Sequence, residues 1–131
     1  VSMGKGVSLD AALASGFMEA IEDYHAETAS GPLVRGSYEE MIRRHSVVNV
    51  DQLQSANNKS QNKSNVILWS MGTNLFTGCP ELVPYELVHT DYRIPLPEGS
   101  GIFAASSNGL ASGNHPIEAL MFHFQESLVL C

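Results

Sequence analysis

The chain has 131 residues, enough for one domain with a modest hydrophobic core. It carries 14 acidic and 7 basic residues, a net charge of −7, which argues against binding to nucleic acid or to an anionic membrane surface. No apolar run approaches the roughly 20 residues that a transmembrane helix needs. Cys79 and Cys131 are too few for a disulfide framework, so a cytoplasmic protein is predicted.

The first predicted element is a helix from Leu9 to Glu27. Ser8 is a suitable N-cap, and Asp10 lies in the first turn, where the helix dipole favours negative charge. Spacings of three and four residues place apolar side chains on one side of this helix and polar side chains on the opposite side. The apolar stripe consists of Leu13, Phe17, Ile21 and Tyr24, and the polar stripe of Ser15, Glu19 and Glu22.

The next segment has weaker signals. Ser37, with Glu40 three residues later, has the pattern of a capping box and predicts a short helix over Tyr38–Arg44. Ser46–Val50 is rich in β-branched residues and predicts a short strand. Ser55–Ser64 has few apolar residues and predicts a surface loop.

The centre of the chain predicts a β-hairpin. Val66–Met71 is an almost continuous apolar run that includes Trp69, which we expect in the core. A turn at Thr77-Gly78 leads to a returning strand, Glu81–Pro84, and the proline places that strand at an edge or ends it. Gly101–Ala105 predicts one more strand. Because strands and helices do not alternate in a strict βαβ order, the fold class is predicted as α+β, with helices packed on a small mixed or antiparallel sheet.

A loop with two glycines and two asparagines, Ser106–Asn114, opens directly onto the last predicted helix, Pro116–Leu130. Asn114 or His115 is the expected cap, and proline is well placed in the first turn. Glu118 lies on the polar side of this helix, with Glu126 adjacent to that side. Near the start of the chain, Gly4-Lys5-Gly6 leads into the first helix in the same way. The sequence therefore predicts two glycine-bearing loops, each followed by a helix with carboxylates.

Three segments resemble the YcaO family: GKGVSLDAALASGFMEAIEDYHAE at residues 4–27, LFTGCPELVPYELVHTDY at 75–92 and SNGLASGNHPIEALMFHFQE at 107–126. Members of this family use ATP to phosphorylate a backbone amide oxygen, which drives azoline, thioamide or amidine formation in peptides and proteins. The resemblance implies ATP and Mg²⁺ as cofactors and a peptide or protein substrate. It assigns no catalytic residue.

The resemblance also implies a binding site. Lys5 matches a lysine that contacts phosphate, and Ser15 and Asn114 match residues that contact the nucleotide. The implied ligands of the Mg²⁺ ions are Glu19, Glu22, Glu118 and Glu126. Magnesium prefers hard oxygen ligands and usually takes a few carboxylates together with phosphate oxygens and water, so this residue set is chemically sensible. The glycines beside Lys5 would let backbone N–H groups approach a phosphate closely.

The chain departs from the family pattern in three places. Asp23 stands where the family usually has an arginine, and Val129 and Leu130 replace a metal-site carboxylate and a phosphate-site arginine. The family domain also continues well beyond the matched region. Residues 1–131 are therefore predicted to form one partial YcaO-like domain, as a homo-oligomer or with a partner chain that completes it.

Two functional hypotheses remain open. In the first, the chain binds ATP and Mg²⁺ as a piece of a peptide-modifying enzyme. In the second, it is a catalytically inactive truncated homologue that self-associates or binds a partner. Glutamates such as Glu19 and Glu118 are also common on solvated helix surfaces, and a loop rich in asparagine and glycine is also a common structural turn.

Overall fold

The computed structural model describes residues 3–56, 62–107 and 109–129, with side chains up to residue 123 in the last helix. The chain divides into two compact units. The first unit combines both ends of the chain, Val1–Thr28 and Ser107–Cys131, and the second unit is Ala29–Ser106. Residues from distant parts of the sequence thus belong to one unit, whereas the second unit is continuous.

The second unit contains a three-stranded antiparallel sheet in the order β1-β2-β3. Its strands are β1 (Leu33–Ser37), β2 (Val66–Thr73) and β3 (Pro80–Pro84). The predicted hairpin is confirmed as β2 and β3, and Gly78 in the connecting turn has a φ of 70°, a conformation that glycine adopts easily. β3 is an edge strand and ends at its proline, as the sequence indicated.

The core of the second unit is organised around Trp69 on the central strand. Trp69 and Leu82 are completely buried, and the indole Nε1–H of Trp69 donates a 2.9 Å hydrogen bond to the carbonyl oxygen of Gly36 on β1. This bond satisfies the one polar group of the ring inside the core. The predicted core position of Trp69 is confirmed. The other core residues are Met41, Val50, Ile67 and Phe103.

Two predicted strands were wrong. Ser46–Val50 makes one parallel bridge, Val47 to Leu82, before the 3-10 turn Val50–Gln52. Gly101–Ala105 makes one antiparallel bridge, Phe103 to Ser55, because the Glu86 carboxylate accepts the backbone N–H groups of residues 101, 102 and 103. Backbone N–H groups that donate to a side-chain carboxylate are not available for the hydrogen bonds that would pair this segment with a neighbouring strand.

Helix α2 (Tyr38–Met41) begins as predicted but ends earlier than Arg44. Both halves of the capping box are present: Ser37 Oγ accepts the N–H of Glu40, and Glu40 accepts the N–H of Ser37. After Met41 the backbone tightens, and Arg44 N–H donates to the Met41 carbonyl in a 3-10 pattern. The predicted surface loop Ser55–Ser64 lies partly outside the described residues.

The first unit contains two long helices, α1 (Leu9–Glu27) and α3 (Pro116–Val129). The bounds predicted for α1 are confirmed, and Ser8 Oγ accepts the N–H of Ala11 as the cap. The side chain that caps α3 is that of His115, whose Nδ1 accepts the N–H of Ile117 at 3.2 Å. Helices together with a small antiparallel sheet confirm the α+β class.

The apolar stripe of α1 is exposed to solvent. Ala26 is the buried residue of this helix, and the half-buried residues on the same side of the helix include Ser15, Glu19 and Glu22. The exposed fractions of the stripe are 51% for Leu13, 67% for Phe17, 47% for Ile21 and 64% for Tyr24. The better-covered side of α1 is therefore its polar side. Among the described residues, no helix is both long and apolar enough to cross a membrane.

Candidate functional site

All the residues predicted to bind nucleotide or metal belong to the first unit. Lys5 lies in the loop before α1, and Asn114 in the loop before α3. The carboxylates lie on the helices: Glu19 and Glu22 on α1, Glu118 and Glu126 on α3. The side chain of Glu126 is outside the described part of the chain.

The loop before α1 folds back along the polar side of the helix. The N–H of Lys5 donates to Ser15 Oγ at 3.2 Å, and the N–H of Met3 donates to Glu19 Oε2 at 2.9 Å. Ser15 and Glu19 are about one helical turn apart, and Lys5 is two positions after Met3. An extended segment of this length therefore runs alongside one turn of the helix. The structure thus brings Lys5, Ser15 and Glu19 together through backbone contacts of the loop.

The glycines of this loop allow it to touch the helix backbone. A Cβ on Gly4 would lie 1.9 Å from the carbonyl oxygen of Ala12, and a Cβ on Gly6 would lie 2.5 Å from the Ala12 nitrogen. The sequence interpretation gave these glycines the role of letting N–H groups approach a phosphate. In the described structure these glycines allow close packing of the loop on α1, and the approach to a phosphate stays a prediction. Small residues at Ala12 and Gly16 on the facing turn are the sequence signal for this packing.

The loop before α3 is built in the same way. The N–H of Asn114 donates to Glu118 Oε2 at 2.8 Å. A Cβ on Gly113 would lie 2.7 Å from the Ala119 nitrogen, and Gly109 has a φ of 100° with His123 nearby. This loop therefore also returns over its own helix. Asn114 and Glu118, predicted as neighbours in the site, are brought together by this hydrogen bond.

The hydrogen bonds from the loops determine which oxygens of the Glu19 and Glu118 carboxylates are available to bind a metal ion. Glu19 and Glu118 each use one carboxylate oxygen to accept a backbone N–H, and the second oxygen of each has no hydrogen-bond partner among the described residues. An oxygen that remains open in this way can serve a hard cation such as Mg²⁺. Glu22 is half-buried, and the Lys5 side chain is exposed. The chemistry of the donor set therefore fits the predicted metal.

The metal-ligand set itself stays a prediction. In the part of the chain that the structure describes, no three or more His, Cys, Asp or Glu side chains are grouped so that they could hold a metal ion. Asp23, at the position where the family usually has an arginine, is half-buried on α1. Val129 and Leu130 stand where the family has a metal-site carboxylate and a phosphate-site arginine, and their side chains lie outside the described part of the chain.

The second unit contains a buried histidine that the sequence analysis did not single out. His89 is 4% exposed and stacks on Tyr85 with 4.5 Å between the ring centroids. Its Nδ1 accepts the N–H of Asp91 at 3.2 Å, which places the ring proton of the neutral form on Nε2. Nε2 has no hydrogen-bond partner among the described residues.

Comparison with known proteins gives a family. The family model described as YcaO cyclodehydratase, ATP- and Mg²⁺-binding, matches residues 3–126. An uncharacterized protein encoded in the tfuA 3' region of Rhizobium leguminosarum bv. trifolii is 36% identical over 122 residues. The match covers 92% of this chain but 28% of that protein, so the chain spans less than a third of its curated relative.

Solved structures with the same fold are also much longer than this chain. A heterocyclase in complex with substrate and cofactor has a TM-score of 0.73 at 24% identity, over 92% of this chain and 19% of its own length. YcaO from Methanopyrus kandleri, bound with AMPPCP and Mg²⁺, has a TM-score of 0.62 at 24% identity, over 94% of this chain and 28% of its own. The heterocyclase TruD has a TM-score of 0.63 at 24% identity, over 85% of this chain and 19% of its own. These structures share the fold, and the family model that matches residues 3–126 shows that this chain belongs to the YcaO family.

Proposed function

We propose that this chain forms part of the ATP- and Mg²⁺-binding site of a YcaO protein that activates backbone amides. The observation that carries the proposal is that both loop–helix segments, from opposite ends of the sequence, belong to one compact unit. Each segment places a loop N–H on a helix carboxylate, at Glu19 and at Glu118. The same arrangement at both ends of the chain supports a shared site.

The proposed roles follow the chemistry of the side chains. Lys5 contacts phosphate through its ammonium group, and Ser15 and Asn114 contact the nucleotide. The Mg²⁺ ligands are Glu19, Glu22, Glu118 and Glu126, whose carboxylate oxygens are the donors that this ion prefers. Glu19 and Glu118 have a second task, since each also holds its loop on its helix.

When bound, ATP would supply a phosphoryl group to a peptide amide oxygen, leaving ADP, so that this oxygen could depart as phosphate. The residues of this chain would bind the nucleotide, orient it and neutralise its charge. The substrate is a peptide or protein, and the products are azolines, thioamides or amidines according to the attacking nucleophile. A cytoplasmic location is part of the same proposal.

Calorimetric titration with Mg²⁺ and the ATP analogue AMPPCP tests the proposal. Glu118→Gln and Glu19→Gln keep an oxygen that can accept the loop N–H but remove the negative charge. We expect each substitution to weaken binding about tenfold, equivalent to about 1.4 kcal/mol. Glu39→Gln, an exposed position on α2 in the second unit, is the matched control and should leave the affinity unchanged.

Two results would contradict the proposal. One is an absence of heat with millimolar AMPPCP and Mg²⁺ when the circular dichroism spectrum shows a folded chain. The other is an unchanged affinity for both Glu118→Gln and Glu19→Gln.

A second function is favoured by the exposed apolar stripe on α1. Here the chain is a catalytically inactive homologue that acts as a self-associating or partner-binding module. Light scattering across a concentration series tests the self-associating form, which predicts a molar mass above that of one chain. A compact monomer at all concentrations contradicts it.

A further inference from the structure

The carboxylates of Glu19 and Glu118 are each engaged by a backbone N–H from the loop that precedes their helix. The N–H of Met3 donates to Glu19 Oε2 at 2.9 Å, and the N–H of Asn114 donates to Glu118 Oε2 at 2.8 Å. Both distances are typical of hydrogen bonds to an ionised carboxylate, which are roughly twice as strong as those between neutral groups. Each glutamate therefore has one oxygen that is occupied and one that has no hydrogen-bond partner among the described residues.

The residue next to each of these N–H donors is a glycine that packs on the helix backbone. A Cβ on Gly4 would lie 1.9 Å from a backbone carbonyl oxygen of α1, and a Cβ on Gly113 would lie 2.7 Å from a backbone nitrogen of α3. Backbone atoms that are packed this closely move only when the whole loop moves. The two donors are therefore held on their carboxylates by the packing of the loops as well as by the hydrogen bonds.

Magnesium and calcium ions differ in how they use carboxylates. Mg²⁺ requires a near-ideal octahedron with ligands at roughly 2.0–2.1 Å, and the two oxygens of one carboxylate lie too close together to fill two of its positions. Ca²⁺ takes about six to eight oxygens at roughly 2.3–2.6 Å, and one carboxylate can give it both of its oxygens. A cation that approaches Oε2 of Glu19 or Glu118 meets the positive end of an N–H dipole. The arrangement therefore favours one metal-binding oxygen from each glutamate.

We propose that the backbone N–H groups of Met3 and Asn114 make the nucleotide site selective for Mg²⁺ over Ca²⁺, because they limit Glu19 and Glu118 to one metal-binding oxygen each. This inference rests on the proposed function, since it takes the two glutamates as ligands of the ion that accompanies the nucleotide. Loss of either N–H frees a second carboxylate oxygen, which helps the larger Ca²⁺ ion more than Mg²⁺. The selectivity then comes from the loops, which disfavour the wrong ion, in addition to the glutamates themselves.

Met3→Pro tests the inference, because proline has no backbone N–H to donate to Glu19. Met3→Leu keeps the N–H and a side chain of similar volume, so it is the matched control. Calorimetric titration with AMPPCP, in saturating Mg²⁺ and in saturating Ca²⁺, gives the ratio of the two affinities. We expect Met3→Pro to lower the preference for Mg²⁺ about fivefold, through tighter binding in Ca²⁺, and Met3→Leu to leave the ratio unchanged.

Gly4→Ala frees the same carboxylate by a different route. Its added Cβ would displace the loop that carries the Met3 N–H, so the affinity ratio should shift in the same direction as in Met3→Pro. Gly31→Ala, whose Cβ has nothing within 4 Å, is the control for this substitution. Circular dichroism of each variant checks that its helices are retained.

Hydrogen exchange of the Met3 and Asn114 amides gives a readout that does not depend on affinity. Because the ion is expected on the other oxygen of each carboxylate, both amides should exchange no faster in saturating Mg²⁺ and AMPPCP than without them. Faster exchange would show that the ion displaces the N–H groups, and it would overturn the inference.

The titrations distinguish failure of the inference from failure of the proposed function. Binding of AMPPCP in Mg²⁺ with an unchanged ratio in both Met3→Pro and Gly4→Ala would overturn the inference alone. Absence of AMPPCP binding in both ions, with a folded chain, would overturn the proposed function and the inference with it.

Discussion

Met3 and Glu19 are joined by a 2.9 Å hydrogen bond from the backbone N–H of Met3 to Oε2 of Glu19. A carboxylate that we propose binds Mg²⁺ thus also fixes the loop that carries Lys5, the residue that we propose contacts phosphate. Ser15, one turn earlier, holds the same loop through the N–H of Lys5. The polar stripe of α1 therefore has a structural task in addition to the proposed binding role, and changes to the loop are expected to affect both.

Gly4→Ala should displace the N-terminal loop from α1. The added Cβ would lie 1.9 Å from the Ala12 carbonyl oxygen, a backbone atom that cannot rotate away. Overpacking of this kind typically costs about 1–3 kcal/mol. Here the cost would weaken the packing of the N-terminal loop on α1. Hydrogen exchange of the Lys5 amide should become faster. The control is Gly31→Ala, whose Cβ has nothing within 4 Å, and equal Lys5 exchange in both variants would show that the loop does not depend on this contact.

Trp69→Phe should destabilise the second unit by about 2–4 kcal/mol through a smaller ring and an unsatisfied Gly36 carbonyl. The ring is completely buried and its Nε1–H donates to that carbonyl at 2.9 Å. Urea unfolding followed by circular dichroism measures the loss. Phe76→Leu, at a fully exposed position, should change stability by less than about 0.5 kcal/mol. A similar small effect at Trp69 would contradict the described core.

Ser37→Ala should cost about 1 kcal/mol, the usual loss when an N-cap is removed. Ser37 Oγ accepts the N–H of Glu40, and the Glu40 side chain accepts the N–H of Ser37 in return. Glu40→Gln keeps an acceptor at this position and should therefore be milder at neutral pH. Thermal unfolding of the two variants gives the comparison. Equal losses would mean that the charge of Glu40, rather than the cap geometry, stabilises α2.

His89→Phe should preserve or raise stability, whereas His89→Ala should lower it by about 2–4 kcal/mol. Phenylalanine keeps a ring to stack on Tyr85 and removes a buried N–H that has no partner among the described residues. It also removes the acceptor for the Asp91 N–H, which then needs water. Urea unfolding compares the variants. A large loss with phenylalanine would indicate that Nε2 has a partner such as an ordered water molecule.

Asp91 should titrate well below the usual range, because hydrogen bonds from Arg93 lower the pKa of its carboxyl to about 2. The Arg93 guanidinium forms two hydrogen bonds with it, at 2.7 and 2.6 Å. A carboxyl with a lowered pKa stabilises the folded state above its unfolded pKa of about 3.9 and loses that contribution as the pH falls toward 2. Carbon-13 NMR titration should show the low midpoint in the unchanged chain. In Arg93→Gln the midpoint should move toward 3.8, and an unchanged midpoint would rule out Arg93 as the cause.

The local signals of the sequence determined where α1 and α2 begin. Ser8 and Ser37 cap their helices because a side-chain oxygen satisfies a free N–H within three residues, an interaction that needs no distant partner. The hairpin strand with Trp69 was also predictable, because an apolar run of this length between turn residues is typical of a buried strand. The three segments with their motifs sufficed to predict the family.

Strand pairing and the side of each helix that is covered were decided by the tertiary structure. β1 (Leu33–Ser37) contains an arginine and a glycine and has little strand signal, but it forms because β2 provides its hydrogen-bond partners. The sequence likewise shows that α1 has an apolar and a polar side, but it does not show that the polar side packs under the loop and the apolar side faces solvent. Contacts between residues far apart in the chain fix both outcomes, and periodicity within one segment carries no information about them.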